Sequence, residues 1–129
     1  MRIEAYFQAL QSLIDGCPFV DAQQVSFSKR GATLGFLRGD LRMIDGSMLH
    51  FREFVDTEAD VNRITYAYHF MDRHDRLRFR YDNADHHRDL NLPTHPHHKH
   101  LGQENRIIAS PAPTLVEVLN EIETLIELP

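Results

Sequence analysis

The chain carries one cysteine, Cys17, in 129 residues. A lone thiol excludes an internal disulfide framework and a cysteine-rich zinc site. Cys17 sits between Gly16 and Pro18 with no cation beside it in sequence, so nothing there activates it as a nucleophile. Long apolar runs are missing, which excludes a membrane-spanning helix. Met1-Arg2-Ile3-Glu4 lacks the apolar stretch of a signal peptide, and the expected location is cytoplasmic. There is no glycine-rich phosphate loop and no H-E-x-x-H zinc signature. Excess positive charge is absent too: the net charge is −5 with histidine neutral, which does not announce a nucleic-acid binder. Hydrophobic residues still make up 42%, enough for a buried core and against disorder.

What the chain does have is histidine in one place. Seven of its nine histidines fall between His74 and His100, concentrated in Asp85-His86-His87 and His95-Pro96-His97-His98-Lys99-His100. Packing does not ask for such a cluster, whereas proton transfer and metal binding do. From Asp72 to His100 six Arg and Lys face five Asp, so protonated histidines would make this stretch locally cationic. From Gln103 onward one Arg meets five Glu, and the C-terminal part stays acidic.

The pattern predicts a single α+β domain over 1–129, with an N-terminal helix, a C-terminal helix and a mostly antiparallel twisted sheet of about five strands. Ile3, Tyr6, Phe7, Leu10, Leu13 and Ile14 recur at helical spacing, stopped by Asp15-Gly16. Strands are expected over 24–29, 32–44, 47–56, 62–71 and 76–82. Asp45-Gly46, read as a two-residue hairpin loop, places Arg38 opposite Glu53 as a charge pair and leaves His50 and Arg52 on the core face. There they read as satisfied structural groups, and His69 and His74 read as surface residues. In the next hairpin Met71 is expected opposite Arg76, with Ile64, Tyr66, Tyr68, Phe70, Leu77, Phe79 and Tyr81 on one face and Thr65, His69, Arg78, Arg80 and Asp82 on the other. The stretch 83–106 reads as a long loop of the kind that is either functional or disordered. Thr114 with Glu117 forms a capping box that opens the last helix.

Three chemistries fit the histidine-rich stretch. In an extended segment His98 shares a face with His100, and two imidazoles with Asp82 or Asp85 could bind zinc or manganese; His86 and His87 are further candidate ligands. Without metal, His97, His98 and His100 could supply the acid and base of RNA cleavage, with Arg78, Arg80 and Lys99 clamping the phosphate and Tyr81 as an alternative proton donor. Asp82 and Asn83 would complete the substrate contacts, and Tyr66 and Tyr68 could stack bases. The plainer reading of Tyr66, Tyr68, Phe79 and Tyr81 is the core face of a half-buried sheet. A non-catalytic module that binds a metal or a protein partner through the histidines is the alternative to an enzyme. Transfer of a nucleotidyl or ADP-ribosyl group stays open as well.

The run Asp45-Gly46-Ser47-x-Leu49-x-Phe51-x-Glu53, then Tyr66-x-Tyr68, Arg80-Tyr81-Asp82-Asn83-Ala84, His86-His87 and His97-His98-Lys99-His100 resembles the TumE family of prokaryotic toxins. The resemblance covers most of the chain, from about Val25 to the last helix. It implies a small cytoplasmic toxin made beside a cognate antitoxin protein; RNA as the leading target comes from the residue chemistry above, and no membrane partner is expected. Assembly into a homo-oligomer is compatible with it. It assigns no mechanism to any residue.

Overall fold

The computed structural model describes residues 1–84, 90 and 92–126. Ile3, Phe7, Leu10 and Ile14 form the buried stripe of α1 (Ile3–Asp15). The strands are β1 (Val20–Lys29), β2 (Leu34–Met43), β3 (Met48–Asp56), β4 (Asn62–Met71), β5 (Leu77–Asp82), β6 (His98–Leu101) and β7 (Ile107–Ala109), and α2 (Leu115–Leu125) follows. Thr114 caps α2, its hydroxyl accepting from the Glu117 N–H while the Glu117 carboxylate accepts from the Thr114 N–H, as the capping box predicts. No helix among the described residues is long and apolar enough to cross a membrane.

The strands make one open antiparallel sheet in chain order, β1 to β7. Seven strands replace the expected five or so, because β6 lies inside the stretch read as loop and β7 follows directly after it, in residues assigned to no element. Both are short, four and three residues, and His98-Lys99-His100 offers no apolar alternation to mark a strand. The two helices bury their stripes in one core with Leu37, Leu41, Leu49, Phe51, Tyr68, Phe70 and Phe79. Each such side chain contributes roughly 1.5–3 kcal/mol by leaving water. The approach of α1 depends on Gly35, where a Cβ would lie 2.6 Å from Phe7 and 2.9 Å from Ile3. Gly35→Ala should push α1 off the sheet and cost about 1–3 kcal/mol in urea unfolding; unchanged stability would refute this packing role.

The first hairpin departs from the expected register by one residue. Met43 N–H donates to Ser47 O at 2.8 Å and Gly46 N–H to Met43 O at 3.0 Å, so Ile44, Asp45 and Gly46 form a three-residue loop. Gly46 takes φ +86, the left-handed position that such a loop requires. Leu37 therefore faces Glu53, and Arg38 faces Arg52 rather than Glu53. The slip turns β3 over: Leu49, Phe51, Glu53 and Val55 point into the core, while His50 and Arg52 lie on the opposite face. On β2, Leu37, Leu41 and Met43 are buried.

In the next hairpin Met71 faces Leu77, not Arg76, and Arg78 is the extra residue of a bulge. Beyond the bulge the pairing is Phe70 with Phe79 and Tyr68 with Tyr81, two residues from the expected register. Two slips cancel for the faces, so Tyr66, Tyr68, Phe70 and Phe79 are buried together as expected. Ile64 does not join them. It is the extra residue of a second bulge, 41% exposed, and Arg63 pairs with Val55 instead.

Glu53 is the polar centre of the helix-covered face. It is 1% exposed and accepts from the Tyr6 hydroxyl of α1 and the Tyr68 hydroxyl of β4. Arg63 extends the network, donating to Tyr68 Oη at 2.9 Å and to the carbonyls of Pro113 and, at 3.2 Å, Ala112, just before α2. Burial, and then the neighbouring Glu53, push both phenols well above their ordinary range. Glu53→Ala would leave two phenols without their acceptor and should lower stability by roughly 3 kcal/mol in urea melts, with Glu53→Gln costing less. Equal, small losses for both variants would contradict this account.

Candidate functional site: the polar face of the sheet

Neither α1 nor α2 covers the other face, and its side chains line up across strands. Each strand of the ladder contributes every second residue. One row runs Asp40, His50, His69, Arg80, His100, each paired with the next. The adjacent row runs Arg38, Arg52, Ala67, Asp82, His98. The two rows bound a shallow cavity of about 310 Å³, lined by Arg38, Asp40, His50, Arg52, Ala67, His69 and Arg80. Ala67 supplies part of its floor; a larger residue there would fill it.

Arg38 and Arg52 face each other directly, and among the described residues neither forms an ion pair. Like charges placed opposite each other destabilise a sheet, so this pair is a cost to the fold and an opportunity for an anion. His50 Nδ1 lies 2.5 Å from Asp40 Oδ1, which places the proton on Nδ1 and leaves Nε2 as the acceptor. His69 has the opposite tautomer, since Arg80 Nη1 donates to its Nδ1 at 3.3 Å and Nε2 keeps the hydrogen. Burial, and then the Arg80 guanidinium, push the His69 ring below its ordinary value, so it is neutral at pH 7. The His50 and His69 ring centres are 6.4 Å apart.

At the β5–β6 end, Asp82, His98 and His100 meet, all buried. Burial alone would raise the Asp82 carboxyl. The Arg80 guanidinium at 2.9 Å, the Ala84 N–H and the His98 ring outweigh it and hold the group below the usual carboxylate range. Among the described residues, these three form a group that could hold a metal ion. His86 and His87, the other candidate ligands from the sequence, lie outside the described residues.

Tyr81 and Lys99 are on the helix-covered side, because odd and even positions of β5 and β6 face opposite ways. Tyr81 donates to Glu121 Oε1 of α2 at 2.6 Å, and Lys99 lies 2.9 Å from Glu121 Oε2 with its ammonium 4.6 Å from the Tyr81 ring centre. Burial, and then the Glu121 carboxylate, push the Tyr81 phenol up. His97 stands apart from His98 and His100. Its Nδ1 is 2.9 Å from the Tyr66 hydroxyl, and the two rings stack at 5.8 Å. Tyr66 and Tyr68 are buried at 3% and 0%, and burial pushes the Tyr66 phenol up to about 12. Arg78 occupies the β5 bulge.

Asn83 replaces a ladder pair at the Ile64 bulge, its side chain accepting from Tyr66 N–H at 2.9 Å and donating to Ile64 O at 3.0 Å. Asn83→Ala should therefore lower stability by about 1–2 kcal/mol and speed exchange of the Tyr66 amide. An unchanged amide would show that the contact does not hold the strand end. His50, His69, Arg38, Arg52 and Asp40 are absent from the residues that sequence reasoning favoured. Their only signal is a shared face, visible once the strand register is known.

A family model described as Toxin TumE matches residues 10–126. No curated protein and no solved structure matches the chain.

Proposed function

The chain belongs to the TumE family of toxins, and on that premise we propose that it arrests growth by cleaving RNA on the polar face of its sheet. The observation that carries this reading is the Arg38–Arg52 pair set beside an imidazole acceptor and an imidazole donor. A phosphodiester supplies the negative charge that the opposed guanidiniums lack, and it brings its own nucleophile, the adjacent ribose 2′-hydroxyl.

In this mechanism His50 Nε2, with the ring oriented by Asp40, takes the 2′-hydroxyl proton. The 2′-oxygen attacks phosphorus, the bond to the 5′-oxygen breaks, and a solvent proton completes the leaving alcohol. His69 Nε2–H and the guanidiniums of Arg38, Arg52 and Arg80 donate to the phosphoryl oxygens, whose charge rises in the transition state. His98 and His100, proposed from the sequence as acid and base, border this site next to Arg80. His97, Lys99 and Tyr81 play no direct part, since they face α2 or the core. A cognate antitoxin is the partner such a toxin implies, and covering the cationic rows is the simplest way for it to silence the site.

Induction of the chain in cells without its neighbouring gene should stop growth and fragment RNA. With purified protein, His50→Ala should lower RNA cleavage by about 10²–10⁴-fold at unchanged thermal stability. Arg52→Ala should weaken RNA binding and flatten its salt dependence. Growth arrest with intact RNA, or full cleavage by His50→Ala, would overturn the ribonuclease reading.

A further inference from the structure

We propose that Asp82, His98 and His100 form a divalent-metal site, with Zn²⁺ the ion that this donor set suits best. The three residues are 4%, 2% and 6% exposed, and their donor atoms all fall within 4.8 Å of one another. Proton placement makes the case. His98 Nδ1 lies 2.9 Å from Pro96 O, and His100 Nδ1 lies 2.6 Å from Glu104 O. A carbonyl only accepts, so each Nδ1 carries the hydrogen and each Nε2 of a neutral ring carries a lone pair.

Those lone pairs converge. The two Nε2 atoms are 3.2 Å apart, and Asp82 oxygens lie 2.9 Å from His98 Nε2 and 3.4 Å from His100 Nε2. A metal ion placed among them would be held by all three donors at once. Bonds of about 2.0–2.1 Å to a tetrahedral zinc would set its donors about 3.3 Å apart, close to these separations. The two rings lie 4.9 Å apart between centres and cross at 70°. The carbonyls of Pro96 and Glu104 then act as the outer partners that hold the imidazoles in the ligating tautomer. Three protein donors leave a coordination position for water or an anion. The metal site does not depend on what the neighbouring cavity binds.

The test uses untagged, full-length protein stripped with EDTA and titrated with Zn²⁺. Elemental analysis after dialysis should find one ion per chain. In ¹⁵N-histidine spectra of the wild type, His98 and His100 should move to Nε2-bound positions while keeping their Nδ1 hydrogens. His98→Ala and Asp82→Asn should each weaken binding beyond the roughly 10–100-fold that loss of an outer partner costs, and His50→Ala should retain the ion. Zinc held equally by His98→Ala, no stoichiometric zinc, or wild-type His98 and His100 resonances that stay put would overturn the site. The wild-type spectra decide the matter even if a variant misfolds. None of these readouts involves RNA, so a failed cleavage assay and a failed metal site remain distinguishable.

Discussion

The three-residue loop that turns β2 into β3 decides the side of the sheet on which every later residue of β3 stands. Because strand side chains alternate with a period of two, one residue more or less in the loop exchanges the two faces completely. Gly46 in the left-handed region closes this loop at Met43 and Ser47. Phe51, Val55 and Glu53 then go inward, and His50 and Arg52 go outward. A two-residue loop would have put a histidine and an arginine into the core, with Phe51 in water. The hydrophobic pattern alone makes that state costly, and the glycine makes the alternative geometrically easy.

The same alternation divides a compact stretch of sequence into two assignments. Arg80, Asp82, His98 and His100 build the polar face, while Tyr81 and Lys99, between them in the chain, reach α2 through Glu121. Strands β5 and β6 therefore hold the C-terminal helix with one set of side chains and build the polar face with the other. Glu53 plays the matching part at the opposite end, tying α1, β4 and, through Arg63, the approach to α2. Polar groups on the covered face are satisfied within the protein. On the opposite face the opposed Arg38 and Arg52 form no ion pair among the described residues.

Much of the fold was readable from residue spacing. The helical stripe of α1, the capping box at Thr114 and the strands β2 to β5 follow from periodicity and turn residues. Two short strands were not readable, since β6 spends its alternation on histidine rather than on apolar side chains. The first register was missed because Asp-Gly serves both a two-residue loop and a three-residue loop with glycine last. For the site, period-two reasoning brings His98, His100, Asp82 and Arg80 together; His97, Lys99 and Tyr81 belong elsewhere by the same rule. His50 and His69 lie 19 residues apart in sequence and meet only through the β3–β4 pairing, which no local pattern encodes.

On the proposed ribonuclease reading, the polar face reconciles an acidic chain with a polyanionic substrate. The net charge of −5 governs the field far from the molecule, but within a Debye length of the sheet the opposed Arg38 and Arg52 and the neighbouring Arg80 dominate. Acidic residues near them are already committed: Asp40 to His50, Asp82 to Arg80 and His98. A carboxylate engaged in this way orients an imidazole or a guanidinium without cancelling the whole row. On that same reading, long-range attraction to nucleic acid would be weak and contact attraction strong, a combination that favours a substrate already delivered to the cavity over indiscriminate binding along a duplex. The unfavourable placement of like charges is tolerated because the covered face, with its shared helix anchors, carries the stability that the open face gives up.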